Sequence, residues 1–299
     1  ANLIDTDYVI GQDNITTNSM GLNLDLHGKV FSISAVVVLL FVVLTLALQD
    51  TIAPIYDAIF GFLTGNLAWF FISAANIFVI LCLGLIVSPL GKIRIGGADA
   101  KPDFTYMGWF SMLFAAGMAA TIFHWGLHPW AIYAVVALSL ALFSFNKGLP
   151  LSMRSVFYPI LGERVWGWPG HLIDILAVFA TLFGLATSLG LGATQAAAGL
   201  TYLFGAPESD ITMILLIVGI TIIAIGSILA GVDKGVQLLS KINIVIAAML
   251  LFFVIAVGPT LLIATGFFEN LWNYAVHLPA LSNPFGREDA NFSQGWTAF

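Results

Sequence analysis

Long apolar runs, separated by short polar stretches, dominate this chain. The runs occupy positions 30–48, 67–87, 106–145, 171–200, 211–229 and 242–263 and contain almost no charged side chains. Because the hydrocarbon core of a bilayer is about 30 Å thick, a helix of about 20 apolar residues crosses it. These runs therefore predict transmembrane helices. Positions 267–276 mix aromatic and polar residues in a pattern that predicts an amphipathic helix on the membrane surface.

The composition supports this prediction. Hydrophobic residues make up 60% of the 299 residues and charged residues 9%, whereas a soluble domain has about 25% charged residues. We therefore expect an all-α polytopic membrane protein in a lipid bilayer. The single cysteine, Cys82, excludes an intrachain disulfide, and the net charge of −6, spread among the loops, gives no sign of a nucleic-acid partner. Residues 1–26 are polar and acidic, so no cleavable signal peptide is expected.

The basic residues predict the topology. Nine of the ten lie in segments that the positive-inside rule places in the cytoplasm, together with the N-terminus. These nine are Lys29, Lys92, Arg94, Lys101, Lys147, Arg154, Arg164, Lys234 and Lys241, and only Arg287 is left for the outside.

The run 106–145 does not fit this topology as it stands. An even number of crossings must separate Lys101 from Lys147, yet the run has no polar turn. As one helix it would be about 60 Å long at 1.5 Å per residue, twice the hydrocarbon thickness. Either the chain turns sharply inside the membrane near Gly117-Met-Ala-Ala120, or residues are missing there. The charge pattern favours missing residues.

An aromatic stripe in this run suggests a ligand. Trp125, Trp130 and Tyr133 fall within about 140° of one another on one helix face, and Pro129 between them is expected to kink the helix. Aromatic faces that converge in a low-dielectric interior can hold a quaternary ammonium or sulfonium group by cation–π attraction. The alternative is that the rings pack between helices or lie at the membrane interface.

Three further features have two interpretations each. His124 and His128 are four residues apart, which suits a metal site or hydrogen bonds between helices. Asp174, in an apolar run, indicates either a functional carboxylate or one favoured by the start of its helix. Glycines in the run 171–200 predict close helix packing, with hinge motion as the alternative; they are Gly184, Gly190, Gly192 and Gly199.

Several motifs together resemble the betaine/choline/carnitine transporter family. They are Phe114-Ala-Ala-Gly-Met118, Phe123-His-Trp-Gly-Leu-His-Pro-Trp-Ala-Ile-Tyr133, Ala180-Thr-Leu-Phe-Gly-Leu-Ala-Thr-Ser-Leu-Gly-Leu-Gly192, Gly231-Val-Asp-Lys-Gly-Val-Gln237 and Gly295-Trp-Thr-Ala-Phe299. The resemblance implies a leucine-transporter-type fold, with two outer helices followed by two inverted five-helix repeats and substrate bound near the membrane midplane.

The implied layout divides the chain into four parts. They are a cytoplasmic segment 1–29, the two outer helices with a cytoplasmic linker at 30–105, the first repeat at 106–266 with a gap near 118–119, and an extracytoplasmic segment with the start of the eighth helix at 267–299. The rest of that helix and the second repeat are expected beyond Phe299. A homotrimer in the bacterial cytoplasmic (inner) membrane is also implied.

The resemblance also assigns site residues. Trp125, Trp130 and Tyr133 match the aromatic substrate cage, and the backbone carbonyls of Ala115 and Met118 match sodium ligands. Thr181 matches one of two sodium-binding threonines, but its partner position here is Leu185, which has no side-chain oxygen, so hydrogen bonding to the preceding turn is the favoured role of Thr181.

The expected function is import of a quaternary-ammonium or related onium solute, coupled to sodium, by alternating access. Glycine betaine is the first candidate, followed by choline, carnitine and dimethylsulfoniopropionate. No catalytic residue, no cofactor and no metal other than sodium is expected. The alternatives are a membrane enzyme with a metal at His124 and His128, and a sensor or scaffold that binds the solute without transporting it.

Overall fold

The computed structural model describes residues 3–19, 22–96, 127–207, 209–229, 231 and 235–285. Within these ranges six helices are long and apolar enough to cross a membrane. They span Gly28–Ala47, Ala68–Val87, Leu127–Asn146, Trp168–Phe204, Asp210–Leu229 and Gln237–Val257. The prediction of a polytopic helical membrane protein is thereby confirmed, whereas the inverted-repeat arrangement stays a prediction.

The N-terminal segment contains a β-hairpin, so the prediction of an all-α chain is wrong here. Strand β1 (Asn14–Ser19) pairs antiparallel with β2 (Leu22–His27), and Asn14 lies opposite His27. Leucine alternates with polar residues along β2, which is the period of a strand with two different faces. Helix α1 (Gly28–Ala47) follows directly, and His27 caps it by accepting a hydrogen bond from the Val30 amide through Nδ1.

Three helices then follow in sequence. Between α1 and α3 (Ala68–Val87) the sequence predicted a loop, but the structure has helix α2 (Gln49–Asn66). Pro54 is the sixth residue of α2, beyond the first four amides, so its missing N–H removes one hydrogen bond to the preceding turn. Neighbouring helices pack in chain order, α1 on α2 and α2 on α3.

Helix α4 (Leu127–Ala141) packs against α3 and continues as a π-helical turn, Leu142–Asn146. The greater part of the predicted run 106–145 lies outside the described residues. A compact connection follows α4, made of α5 (Met153–Val156), α6 (Tyr158–Leu161) and a 3₁₀ turn at Gly162–Trp166.

The remaining helices are α7 (Trp168–Phe204), α8 (Asp210–Leu229), α9 (Gln237–Val257) and α10 (Thr260–Leu281). The run predicted at 242–263 is shifted, because Gly258 and Pro259 end α9. Helix α10 contains the predicted surface helix at 267–276 and is longer than it. The described residues divide into two compact units, one comprising positions up to 96, 127–179 and 275–285, and the other 180–274.

Residues Leu3–His27 and the segment 147–174 form a region that we call the N-terminal junction. The largest fully buried side chains of the described chain all belong to it, and they are Arg154, Leu149, His171, Val165 and Ser155. A Cβ added at Gly170 would lie 1.7 Å from the Val165 carbonyl oxygen, so only glycine fits at this contact. The junction is the best-packed part of the first unit.

The four glycines predicted to mediate close helix packing do not do so among the described residues. An added Cβ at Gly184, Gly190, Gly192 or Gly199 would meet nothing within 4 Å. The packing interpretation is therefore wrong for contacts within the described chain. Large apolar side chains cover most of the surface of α8 and α9, as expected of helices that face lipid.

Candidate functional site

The two described residues of the predicted cage lie on α4. Trp130 is 38% exposed and Tyr133 is 58% exposed. They are three positions apart, which places them on one side of the helix. Trp125 lies outside the described residues, and so does part of the turn before Pro129 in which the predicted kink would appear. The structure thus brings together two of the three predicted cage residues, on one open face.

The opposite side of α4 is closed by α3. Ala131 is 5% exposed, and its carbonyl oxygen accepts a weak hydrogen bond from the Cys82 thiol at 3.8 Å. Because Ala131 and Trp130 are neighbours in the helix, their side chains point about 100° apart. Helix α4 therefore has a side packed on protein and a side that carries free aromatic rings.

A chain of hydrogen bonds holds the first turn of α4. His128 Nε2 lies 2.7 Å from Asn76 Oδ1 on α3, and Asn76 Nδ2 donates to the Ser282 carbonyl oxygen at 2.7 Å. The interhelical interpretation is therefore confirmed for His128, while His124 lies outside the described residues. Within the described part of the chain no group of three metal-binding side chains is found. Sequence reasoning missed Asn76, although an isolated amide in an apolar run signals a partner elsewhere.

A second contact lies on the same two segments. The rings of Trp69, in the first turn of α3, and Phe285 stack with centroids 6.1 Å apart and planes 20° apart. Trp69 and Asn76 are seven residues apart and hence on the same face of α3. The chain just past α10 is thus attached to α3 at two points.

The predicted sodium ligands are only partly described. Ala115 and Met118 lie outside the described residues. Thr181 lies on the exposed surface of α7, and Leu185, at the partner position, is 54% exposed. The hydroxyl of Thr187 donates to the Phe183 carbonyl oxygen at 2.9 Å. Among these residues the sodium assignments stay predictions carried by the resemblance.

Asp174 forms an ion pair, so the interpretation as a carboxylate favoured by its helix start is wrong. Helix α7 begins at Trp168, and Asp174 lies in its second turn. Its Oδ2 accepts from Arg154 Nε at 2.5 Å, and its Oδ1 accepts from the Arg154 amide at 3.0 Å. The Arg154 side chain is 2% exposed and that of Asp174 is 15% exposed, so the pair is largely buried. The sequence did not indicate Arg154 as the partner, because no local pattern relates two residues that lie 20 positions apart on separate helices.

The N-terminal segment completes the surroundings of this pair. Arg154 Nη2 lies 3.3 Å from His27 Nε2, and His27 Nε2 lies 3.7 Å from Asp13 Oδ2. The His27 ring meets the His171 ring edge-on at 5.2 Å. Donors therefore face both ring nitrogens of His27, the Val30 amide at Nδ1 and the Arg154 guanidinium at Nε2, and a neutral imidazole can accept at only one of them.

Two tyrosines of the junction have altered acidity. Burial, with the nearby Asp13 carboxylate as the second cause, raises the pKa of Tyr8, whose ring stacks on Trp166 at 4.2 Å. The hydrogen bond from the Tyr158 hydroxyl to Glu163 Oε1, 2.5 Å long, raises the pKa of Tyr158. Both phenols are therefore neutral donors or packing groups at physiological pH.

Comparison with known proteins identifies the family. The family model described as "BCCT, betaine/carnitine/choline family transporter" matches residues 29–123 and 117–299. A glycine betaine/proline/choline transporter of Vibrio parahaemolyticus is 52% identical over 349 residues, which cover 100% of this chain and 63% of the relative. Glycine betaine transporter 1 of the same organism is 47% identical over 98% of this chain and 63% of its own length.

A more distant relative agrees with these two. The glycine betaine transporter of Bacillus subtilis is 38% identical over 84% of this chain and 56% of its own length. The chain thus spans less than two thirds of the curated relatives it matches. With bacterial relatives and six apolar helices, it is a multi-pass bacterial membrane protein. The family match extends over nearly all of the sequence from position 29, and the chain belongs to the betaine/carnitine/choline transporter family.

Proposed function

We propose that the full-length protein is a secondary transporter that imports an onium compatible solute, with glycine betaine as the first candidate. The observation that carries the proposal is the open face of α4, where Trp130 and Tyr133 are both exposed while the back of the helix is fixed on α3. Choline, carnitine and dimethylsulfoniopropionate share the methylated cationic group that such a face would bind. The family membership and the printed names of the relatives support a solute of this class.

The proposed mechanism is alternating access with sodium as the coupling ion. The cation lies in the cage formed by Trp125, Trp130 and Tyr133, and sodium at the carbonyls of Ala115 and Met118 favours the substrate-ready state. Coupling requires only that sodium binds the two states with different affinity. The support for sodium is the resemblance of the motifs, and Thr181 is the weakest of the three assignments because Leu185 replaces its partner.

The proposal includes residues missing from the chain near Met118. The family model matches in two pieces that meet at 117–123, and the alignment with the first relative is 349 residues long against 299 in this chain. Both facts support a gap at the place where the charge pattern requires one. The cytoplasmic N-terminus, the division at 29, 105 and 266, and the trimer are part of the same proposal.

The first test is uptake of radiolabelled glycine betaine by proteoliposomes that contain the full-length protein, with and without a sodium gradient. We expect uptake that depends on the gradient. Equal uptake with and without the sodium gradient would refute sodium coupling, but it would still support solute transport. Binding without any uptake of the four onium solutes would refute transport and favour the sensor alternative.

The cage is tested by Trp130→Ala. Loss of a desolvated cation–π contact of about 2 kcal/mol corresponds to a roughly 30-fold increase in the apparent KM. Trp272→Ala is the matched control, because Trp272 is 70% exposed on α10 and lies on another element. Equal KM values for the two variants would refute the cage assignment.

A further inference from the structure

The hydrogen-bond chain from His128 through Asn76 to Ser282 has a fixed direction. A carbonyl oxygen only accepts, so the Asn76 amide must turn its Nδ2 toward Ser282 and its Oδ1 toward His128. His128 therefore donates through Nε2, at 2.7 Å. The Nε2 proton is present in neutral imidazole of this tautomer and in imidazolium, so the chain persists whichever charge state His128 has.

The chain joins three segments that are far apart in sequence. Asn76 and His128 are separated by 52 residues, and Asn76 and Ser282 by 206. The stacked pair Trp69 and Phe285 holds the last of these segments on α3 independently. Asn76 thus receives one bond from α4 and gives one to a segment that is already fixed, which makes it the shared attachment point.

The position of His128 determines what this attachment controls. It lies in the first turn of α4, two residues before Trp130 and five before Tyr133. At about 100° per residue, Trp130 points some 200° away from His128. A bond at the back of the helix therefore sets the rotation of the front. A rotation of about 15° would displace a ring held several ångströms from the axis by more than 1 Å, and a binding site tolerates roughly 0.5 Å.

Resting on the proposed function, we propose that Asn76 and His128 are positioning residues of the solute site. They fix the rotation of α4 about its axis and thereby direct Trp130 and Tyr133 at the bound cation. Neither residue needs to touch the solute. The alternative role is general stabilisation of the helix pair, which would lower the amount of active protein without changing its apparent affinity.

Uptake kinetics of the full-length protein separate these roles. His128→Leu removes the donor, and we expect its KM for glycine betaine to rise by about 10-fold or more while the maximal rate per folded protein changes little. His128→Gln supplies an amide donor and should restore most of the affinity. Asn76→Leu should act like His128→Leu, and the double variant should be no worse than either one, because both remove the same bond.

A second measurement does not depend on the solute. In a background with Cys82→Ser and no other cysteine, Tyr133→Cys reports the direction of the open face through its rate of reaction with a water-soluble thiol reagent. His128→Leu should change this rate about fivefold or more, and His128→Gln should restore it, since a rotated helix exposes different positions. Tyr202→Cys, at a site 89% exposed on α7, is the control and should not respond.

The outcomes distinguish the two proposals. If no onium solute is taken up but the thiol rate follows His128, the proposed function fails and the positioning role stands. If uptake is normal and neither KM nor thiol rate responds to His128→Leu, the positioning role is wrong. A fall in maximal rate at constant KM in both Leu variants also refutes it, and so do additive effects in the double variant.

Discussion

The N-terminal junction and the long helices α7 to α10 satisfy their polar groups in opposite ways. In the junction, polar side chains bond across large sequence separations: the Thr6 hydroxyl donates to Glu163 Oε2 and accepts from Trp166 Nε1, both at 3.0 Å. In the long helices five threonine hydroxyls bond to the carbonyl four residues before them. Examples are Thr187 to Phe183, Thr201 to Ala197, Thr221 to Ile217 and Thr265 to Leu261, at 2.7 to 3.0 Å.

Burial differs in the same direction. Val165 in the junction is 0% exposed and Arg154 is 2% exposed, whereas α8 has no buried residue. In a lipid environment, covering apolar side chains with protein gives no hydrophobic stabilisation. Polar groups must find hydrogen-bond partners within their own helix or on a directly adjacent one. In the N-terminal junction, burial and long-range hydrogen bonds hold the segments together. Mutational sensitivity in this protein should therefore depend on region more than on residue type.

The largest expected effect is in the buried ion pair. Asp174→Ala leaves the Arg154 guanidinium buried without its counter-charge, and removing one partner of such a pair costs about 3–5 kcal/mol. We expect a corresponding loss in the free energy of unfolding of the full-length protein in detergent solution. Arg154 Nη1 already has no hydrogen-bond partner among the described residues, which increases the penalty.

The control for Asp174→Ala replaces both partners. Arg154→Met with Asp174→Leu removes the charges together and loses mainly the bond from the Arg154 amide, worth about 1 kcal/mol. The double variant should therefore be more stable than Asp174→Ala alone. If the free energy of unfolding of Asp174→Ala equals that of the natural protein, the ion pair is solvated in solution. The junction is then not more sensitive to substitution than the long helices.

The contrast between regions also explains what the sequence could predict. Apolar runs near twenty residues long can only be satisfied by helices in a bilayer, so four of the six spans were placed within four residues of their ends. Hairpin β1–β2 was missed because each strand has only 6 residues, and helix α2 was missed because Asp50, Pro54 and Asp57 are residue types typical of loops. Pairs such as Arg154 and Asp174 exist only after folding, and no local pattern indicates them.

The candidate site divides in the same way. The helical period predicted that Trp130 and Tyr133 share a face, and the structure agrees, because this relation is local to one helix. The attachment through Asn76 was missed because it joins residues 52 positions apart. The glycines on α7 misled for the opposite reason: a motif that permits close packing does not require a neighbour to be present.

A threonine-to-valine substitution can be made in both regions, at Thr6 in the junction and at Thr221 in α8. Thr6→Val replaces the hydroxyl with a methyl group of similar size. The hydroxyl bonds to Glu163, Trp166 and the Tyr8 amide. Its loss should lower the free energy of unfolding by about 1–2 kcal/mol, because these partners are left partly unsatisfied. Thr221→Val removes a hydroxyl that serves only its own helix, where the Ile217 carbonyl keeps a backbone donor, and should stay within about 0.5 kcal/mol. Unfolding in mixed micelles measures both.

Local hydrogen exchange adds a second readout for this pair. Thr6→Val should increase the exchange of residues 3–27, and Thr17→Val, on an exposed position of β1, is the matched control with little expected effect. Equal losses in Thr6→Val and Thr221→Val would show that long-range and local hydroxyl bonds contribute alike, which would remove the distinction between the two regions.

The smallest expected effect is a pH dependence of the junction. Burial raises the pKa of Tyr8 in the folded protein above its ordinary value of about 10. Attachment of the N-terminal segment therefore favours the neutral phenol. The contribution of neutral Tyr8 to the stability of this attachment is complete below about pH 10, and it is lost as the pH rises through the higher pKa of the folded protein.

A spin label at Asn18→Cys, in the background with Cys82→Ser, should consequently become more mobile at strongly alkaline pH. With Tyr8→Phe the ring still stacks on Trp166 but no longer titrates, so this part of the pH response should disappear. Because Tyr8 is only partly buried, the change will be small compared with that of Asp174→Ala. An identical alkaline response in both proteins would mean that ionisation of Tyr8 does not govern how the N-terminal segment is held, and that its other contacts, such as the bonds of Thr6 to Glu163 and Trp166, hold it instead.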